Sequence, residues 1–244
     1  MDRNIINFPN FLTVMRIILV PFFIYFLFLE NTFYKVMAFA IFLLASITDL
    51  IDGYLARKWK QETEFGKFLD PLADKILVIG AFVTFILLDE QIETWMVLLI
   101  ILRDMLITSL RYIGIKQNKS IRTTRMGKIK TTFQMGAILL ILLFFMVVRT
   151  GKTKEINNIF AEGRIQGKSG FQIANENYTR FARGEIVISQ NQKYLEGLAT
   201  FLPYYVMLAT TIITVLSGIR YLYSNRELLS SESLRAILKN TKKV

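Results

Sequence analysis

A chain of 244 residues that is 53% hydrophobic and carries apolar runs long enough to cross a bilayer has lipid as the solvent for much of its length, which excludes an ordinary soluble fold. Its net charge of +11 does not point to nucleic acid, because the basic residues cluster beside the apolar runs, where anionic headgroups and phosphorylated molecules are the natural partners. Cysteine and histidine are both absent, which excludes disulfides, thiolate or imidazole zinc sites and histidine-activated nucleophiles, and leaves a carboxylate as the expected base of any catalysis.

Apolar runs predict membrane helices near Leu12 to Leu29, Tyr34 to Leu55, Phe68 to Leu88, Thr94 to Ile115, Thr132 to Val148 and Ala199 to Tyr223. The runs are continuous, not alternating, and a helix satisfies its own backbone polar groups in hydrocarbon, so the expected fold is an all-α integral membrane protein, a six-helix bundle. Leu29 leads into Glu30, Asn31, Thr32 and Phe33 with no small-residue cleavage site, so the first run is expected to persist as a helix. The loop after span two holds Arg57, Lys58, Lys60 and Lys67, and the loop after span four holds Lys116, Lys119, Arg122, Arg125, Lys128 and Lys130. Between spans three and four stand Asp89, Glu90 and Glu93. The basic side is expected to be cytoplasmic, with both termini there, in a multi-pass cell-membrane protein.

Residues 1–148 read as the membrane domain carrying the candidate site, 149–197 as a polar extracytoplasmic insertion, 198–223 as the sixth helix and 224–244 as a cytoplasmic tail. The insertion is too long for an ordinary connection. Its FQIANENYTRFARGEIVISQ stretch alternates in places, as a small β-hairpin would, the alternative being a loosely ordered excursion. In the tail, Leu228, Leu229, Leu234, Ile237 and Leu238 among charges suggest an interfacial amphipathic helix.

The chemistry is concentrated in TDLIDGYLARKWKQETEFGKFLDPLADK. Asp49 and Asp52 stand at i and i+3 near the end of span two, and Asp70 and Asp74 at i and i+4 near the start of span three, so each pair shares a helix face. A helical hairpin centred near residue 61 brings both pairs to one depth. Four carboxylates at a membrane boundary repel one another and are costly to desolvate unless a cation sits among them. An all-oxygen set suits Mg2+ or Mn2+, and four carboxylates can hold two ions as a clamp for phosphoryl chemistry. Gly53 and Ala56 keep one helix face small, Arg57 offers a fork for phosphate, and Gly66 relieves the entry to span three. A structural reading competes for single residues: Asp70 before Pro71 as a helix cap, Gly53 and Ala56 as helix-contact residues. It does not account for two acidic pairs placed symmetrically about one turn.

Asp49, Asp52, Gly53, Ala56, Arg57, Gly66, Asp70 and Asp74 together match the signature of the CDP-alcohol phosphatidyltransferase family, which the chain resembles over most of Asn4 to Val148. The flanks INFPNFLTVMRIILVPFF, LRDMLITSLR and MGKIKTTFQM look most like the bacterial members that use glycerol 3-phosphate as acceptor. Two features depart from that pattern: the insertion after Arg149, and Asp104 after Arg103 where glutamate is usual. The resemblance implies a six-helix fold, usually homodimeric, that takes CDP-diacylglycerol from the bilayer. It implies metal ligation by Asp49, Asp52, Asp70 and Asp74, with Asp74 also the base toward the acceptor hydroxyl. Donor contacts would come from Asn10, Thr13, Gly53, Ala56, Arg57, Thr63 and Gly66. A dianionic acceptor such as glycerol 3-phosphate needs cations, for which Arg103, Arg111, Lys128 and Lys130 are the candidates. Within the family, a cardiolipin synthase or an enzyme acting on inositol phosphate or serine is the alternative. Outside it stand an ion-conducting or transport protein and a noncatalytic metal-binding scaffold, the former disfavoured because the acidic residues are confined to one end of the spans.

Overall fold

The computed structural model describes residues 8–59, 64–116, 125–148, 150–185 and 191–226, and among these every element is a helix. In chain order they are α1 (Phe8–Phe28), α2 (Thr32–Trp59), α3 (Glu64–Leu88), α4 (Thr94–Lys116), α5 (Arg125–Val147), α6 (Thr150–Ile165), α7 (Gly170–Ala182), α8 (Asn191–Ala199) and α9 (Leu202–Ser224). Helices α1 to α5 and α9 fall on the six apolar runs. Among the described residues, four of them carry stretches long and apolar enough to cross a membrane: Asn10–Phe28, Thr32–Asp49, Ile129–Val147 and Leu202–Ser224. Helix α4 is of similar length, but Arg103, Asp104 and Arg111 dilute its apolar character.

The chain divides into two compact units, Met1–Glu93 with Met135–Val206, and Thr94–Gln134 with Met207–Val244. In the first, α1 packs along both α2 and α3. Its buried positions Asn10, Thr13, Arg16, Val20, Phe23 and Leu27 recur at three- and four-residue steps and form one stripe. The opposite face shows Phe11, Met15, Ile18, Phe22 and Tyr25, an apolar surface suited to lipid. Small residues Ala38, Ala45, Ala73 and Ala81 are fully buried on α2 and α3, where they allow close helix approach.

The segment between α5 and α9 is helical where it is described, and α7 occupies most of the stretch expected to form a hairpin. The reason is local. Ser169 accepts from the Gln172 amide while the Gln172 side chain accepts from the Ser169 amide, a capping box that starts α7. Ile173, Ala174 and Asn177 then bury one face at helical spacing. Helices α6 and α7 end at Gly167 and Gly184, whose φ of 78° and 70° permit the i→i−5 closures Lys168 to Gly163 and Glu185 to Arg180. The amphipathic tail expected beyond residue 226 lies outside the described residues.

Helix α6 is tied to the α3–α4 turn by Asn157, whose Nδ2 donates to the Leu88 carbonyl at 2.9 Å and whose Oδ1 accepts from the Glu90 amide at 3.2 Å. Gln91 Nε2 donates to the Ala199 carbonyl at 2.8 Å. These partly or fully buried bonds matter more than the exposed Lys154–Glu30 pair, since exposed ion pairs add about 1 kcal/mol or less. Between them, Asp89 borders a cavity of about 20 Å3 shared with Gln91, Thr153 and Asn157, room for about one water. Burial pushes the Asp89 carboxyl up to about 6, against the Gln91 amide that donates to it and favours the anion.

Folded Asp89 thus keeps its proton to about pH 6 while the unfolded chain releases it near 3.8. Its contribution favours the fold below about pH 4 and is lost as pH rises through 6, a difference of roughly 3 kcal/mol by linkage. Asp89→Asn should raise the thermal midpoint of detergent-purified protein at pH 7.5 and leave it nearly unchanged at pH 4. Equal effects at both pH values would rule out a titrating Asp89.

Candidate active site

The buried stripe of α1 reaches the acidic residues. Thr13 Oγ1 donates to Asp70 Oδ1 at 2.7 Å, and Arg16 Nη1 donates to Asp49 Oδ1 at 2.6 Å. Thr13 and Arg16 are one helical turn apart, so carboxylates from α2 and α3 address adjacent turns of a single α1 face. The Arg16 side chain is fully buried, whereas that of Asp49 is 36% exposed. A desolvated guanidinium requires an anion. Asp49 supplies it while its side chain remains partly exposed.

Asp70 and Asp74 lie at i and i+4 on α3, both partly exposed, and Gly66 is buried one turn earlier. Asn10 is buried one turn before Thr13 on the α1 stripe. Asp52, Gly53, Ala56 and Arg57 belong to the last turns of α2, but their side chains, and Thr63 entirely, lie outside the described residues. Among the described residues no three acidic side chains stand close enough to hold an ion by themselves. The chemistry of the candidate set suits a hard divalent cation: its members offer carboxylate oxygens, and Asp49 and Asp70 are steered to one face of α1.

The basic candidates fall in the second unit. Arg103 Nη1 lies 3.1 Å from Asp104 Oδ1, and Lys130 Nζ lies 2.6 Å from Asp104 Oδ2, so one carboxylate ties α4 to α5. Arg103 Nη2 also donates to Ser217 Oγ on α9 at 2.8 Å. The structure therefore brings Arg103 and Lys130 together. It leaves Arg111 exposed two turns further along α4, and the Lys128 side chain lies outside the described residues.

Three participants were not singled out from sequence as site residues: Arg16, Asp104 and Ser217. Arg16 had a usable signal, as the sole charged residue of α1, since a charge within an apolar span calls for a partner. Ser217 had none, because a serine in an apolar helix is ordinary.

A model of the CDP-alcohol phosphatidyltransferase family matches residues 6–159, which include all four aspartates, Thr13 and Arg16. A CDP-diacylglycerol--glycerol-3-phosphate 3-phosphatidyltransferase of Escherichia coli (strain K12) is 42% identical over 138 residues, covering 54% of this chain and 74% of that protein. The protein of the same name in Yersinia enterocolitica is 40% identical over 139 residues, 54% and 75% of the two chains. That of Sodalis glossinidius is 39% identical over 143 residues, 56% and 77%.

Coupling between Arg16 and Asp49 is measurable without any assay of function. Asp49→Asn, which removes the anion facing a buried guanidinium but keeps an acceptor oxygen, should cost roughly 2 kcal/mol of stability. Adding Arg16→Met should recover much of that loss in a double-mutant cycle followed by thermal unfolding. Strictly additive losses would show that the contact carries no coupling.

Proposed function

Because the chain belongs to the CDP-alcohol phosphatidyltransferase family, we propose that it transfers the phosphatidyl group of CDP-diacylglycerol to glycerol 3-phosphate, giving phosphatidylglycerol phosphate and CMP. The observation that carries this reading is the convergence of Asp49 and Asp70 on the Thr13–Arg16 face of α1, inside the matched region. The choice of acceptor rests on the names of the relatives and on the Arg103–Lys130 cluster, whose cations suit a phosphate dianion.

Asp49, Asp52, Asp70 and Asp74 would hold Mg2+ or Mn2+, which when bound supplies charge neutralisation and alignment for the donor diphosphate. Thr13 and Arg16 fix the rotamers of Asp70 and Asp49 before substrate arrives, and so lower the cost of assembling the site. Gly53, Ala56, Arg57, Thr63 and Gly66 would border the donor nucleotide, and Asn10 and Thr13 its phosphates. Asp74 takes the proton from the acceptor hydroxyl as its oxygen attacks phosphorus in line and the bond to CMP breaks. A carboxylate is a weak base toward an alcohol, so alignment must supply much of the acceleration. This reading is completed by six spans in the cell membrane, both termini and the acidic site on the cytoplasmic side, residues 149–197 outside, and a homodimeric assembly.

Purified protein given labelled CDP-diacylglycerol and a panel of acceptors should form phosphatidylglycerol phosphate with glycerol 3-phosphate. Serine, inositol phosphate or phosphatidylglycerol should give little lipid product, and preference for one of them would replace the acceptor. EDTA should abolish turnover, and Mg2+ or Mn2+ should restore it. Asp74→Asn should lower kcat by at least about a hundredfold while donor binding remains; undiminished turnover in this variant would remove Asp74 as the base.

A further inference from the structure

Helices α6 to α8 meet the rest of the first unit where its long helices end. Lys154 of α6 pairs with Glu30, just past α1, and Asn157 binds the carbonyl of Leu88, the last residue of α3. Gly170 opens α7 against the same ends: a Cβ there would collide with the Glu93 carboxylate and with the Tyr204 ring on the first turn of α9. Helices α1 and α9 are long and apolar enough to cross a membrane, and the end of such a helix lies at the boundary of the hydrocarbon. Contacts with these ends hold α7 at the depth of the lipid headgroups.

At that depth α7 presents rings that protein packing leaves half open. Phe171 and Tyr178 are two helical turns apart on one flank and are 51% and 50% exposed. Phe171 meets Tyr205 with ring centroids 6.2 Å apart, and Tyr178 meets Phe201 at 5.5 Å. Phe201 also touches Tyr205 and Phe181, and Phe181 in turn touches Tyr194 of α8, itself half exposed. The open rings therefore belong to one aromatic cluster built on the start of a membrane-spanning helix. Ile173, Ala174 and Asn177 pack inward, while Gln172, Glu176 and Arg183 give α7 a polar flank away from the rings. A cluster of half-open rings is unfavourable in water, but amphipathic rings settle readily where hydrocarbon meets headgroups. One packed face, one aromatic flank and one polar flank suit a helix lying in that plane.

We propose that the flank of α7 carrying Phe171 and Tyr178, together with Tyr194 of α8, is a lipid-docking surface that lies in the headgroup layer of the membrane the chain spans and anchors the segment between α5 and α9 to it. The occupant is lipid, because the rings continue from Phe201 and Tyr205 at the end of a span. Helix α7 lies beyond the matched residues 6–159, so this surface belongs to the part of the chain outside the family's shared region, and it does not depend on which acceptor is used.

The chain has no cysteine, so a single introduced thiol can carry a nitroxide label without background. Full-length Phe171→Cys, Tyr178→Cys and Tyr194→Cys proteins, with Glu176→Cys as the reference on the polar flank, would be labelled and reconstituted into vesicles of phosphatidylcholine and phosphatidylglycerol. At the aromatic positions, relaxation of the label by oxygen, which partitions into lipid, should outweigh relaxation by a water-soluble nickel chelate, with a ratio several-fold above that at Glu176. Agreement between two of the three positions decides the outcome, so a single variant that fails to fold leaves the test intact. A ratio matching that at Glu176 places the flank in water and overturns the proposal. Weak relaxation by both reagents overturns it too, since the flank would then be covered by protein, such as a second copy of the chain.

Discussion

A buried guanidinium on the first helix governs how the first unit is assembled. Arg16 has no exposed side-chain surface, so α1 can pack as it does only if an anion meets it, and Asp49 on α2 is that anion. One turn away the Thr13 hydroxyl binds Asp70 on α3. Apolar packing of α1 against its neighbours is permissive about register, whereas these two polar contacts fix the register of both. Stability and pre-organisation therefore come from the same bonds: the contacts that place α2 and α3 on α1 also aim two carboxylates of the acidic set.

The other end of the same unit is held differently. There Asn157 bridges a helix-ending carbonyl at Leu88 and the amide of Glu90, and Gln91 reaches the carbonyl of Ala199. Neutral amides meet the carbonyls that the ends of α3 and α8 leave open, a need that every helix terminus has. The aromatic side chains of Phe171, Tyr178, Phe181, Tyr194, Phe201 and Tyr205 add edge and tilted ring contacts that join α7 and α8 to the start of α9. Ion pairs in this segment are mostly exposed, so packing and amide bonds carry the attachment.

The helical character of the long runs was legible because hydrocarbon leaves a run of about 20 apolar residues few alternatives. The acidic pairs were legible because spacing alone places Asp49 with Asp52 and Asp70 with Asp74. Their partners on α1 were not, since nothing in a linear pattern says which face of α1 meets which helix. Residues 171–182 were misread as a possible strand pair because patchy alternation was weighed above the Ser169–Gln172 capping signal, which a sequence does display. The Arg103, Asp104 and Lys130 cluster shows the limit of counting charges. Sequence offers Arg103 and Lys130 as candidates for an anion, and only coordinates give their shared contact with Asp104.

In both units the polar residues run along the inside of helices whose outside is apolar, the inverse of a soluble amphipathic helix. Asn10, Thr13 and Arg16 do this on α1, and Thr214, Ser217 and Tyr221 do it on α9. Lipid enforces the inversion, because an exposed polar group in hydrocarbon finds no water, so polarity retained in a span must face protein, water or ligand. On α1 the stripe is consumed by Asp49 and Asp70 and becomes structural support for a site. On α9 two hydroxyls have no partner among the described residues, and evolution has cheaper side chains for filling a helix interface: valine and phenylalanine match the shapes of Thr214 and Tyr221 without their desolvation cost.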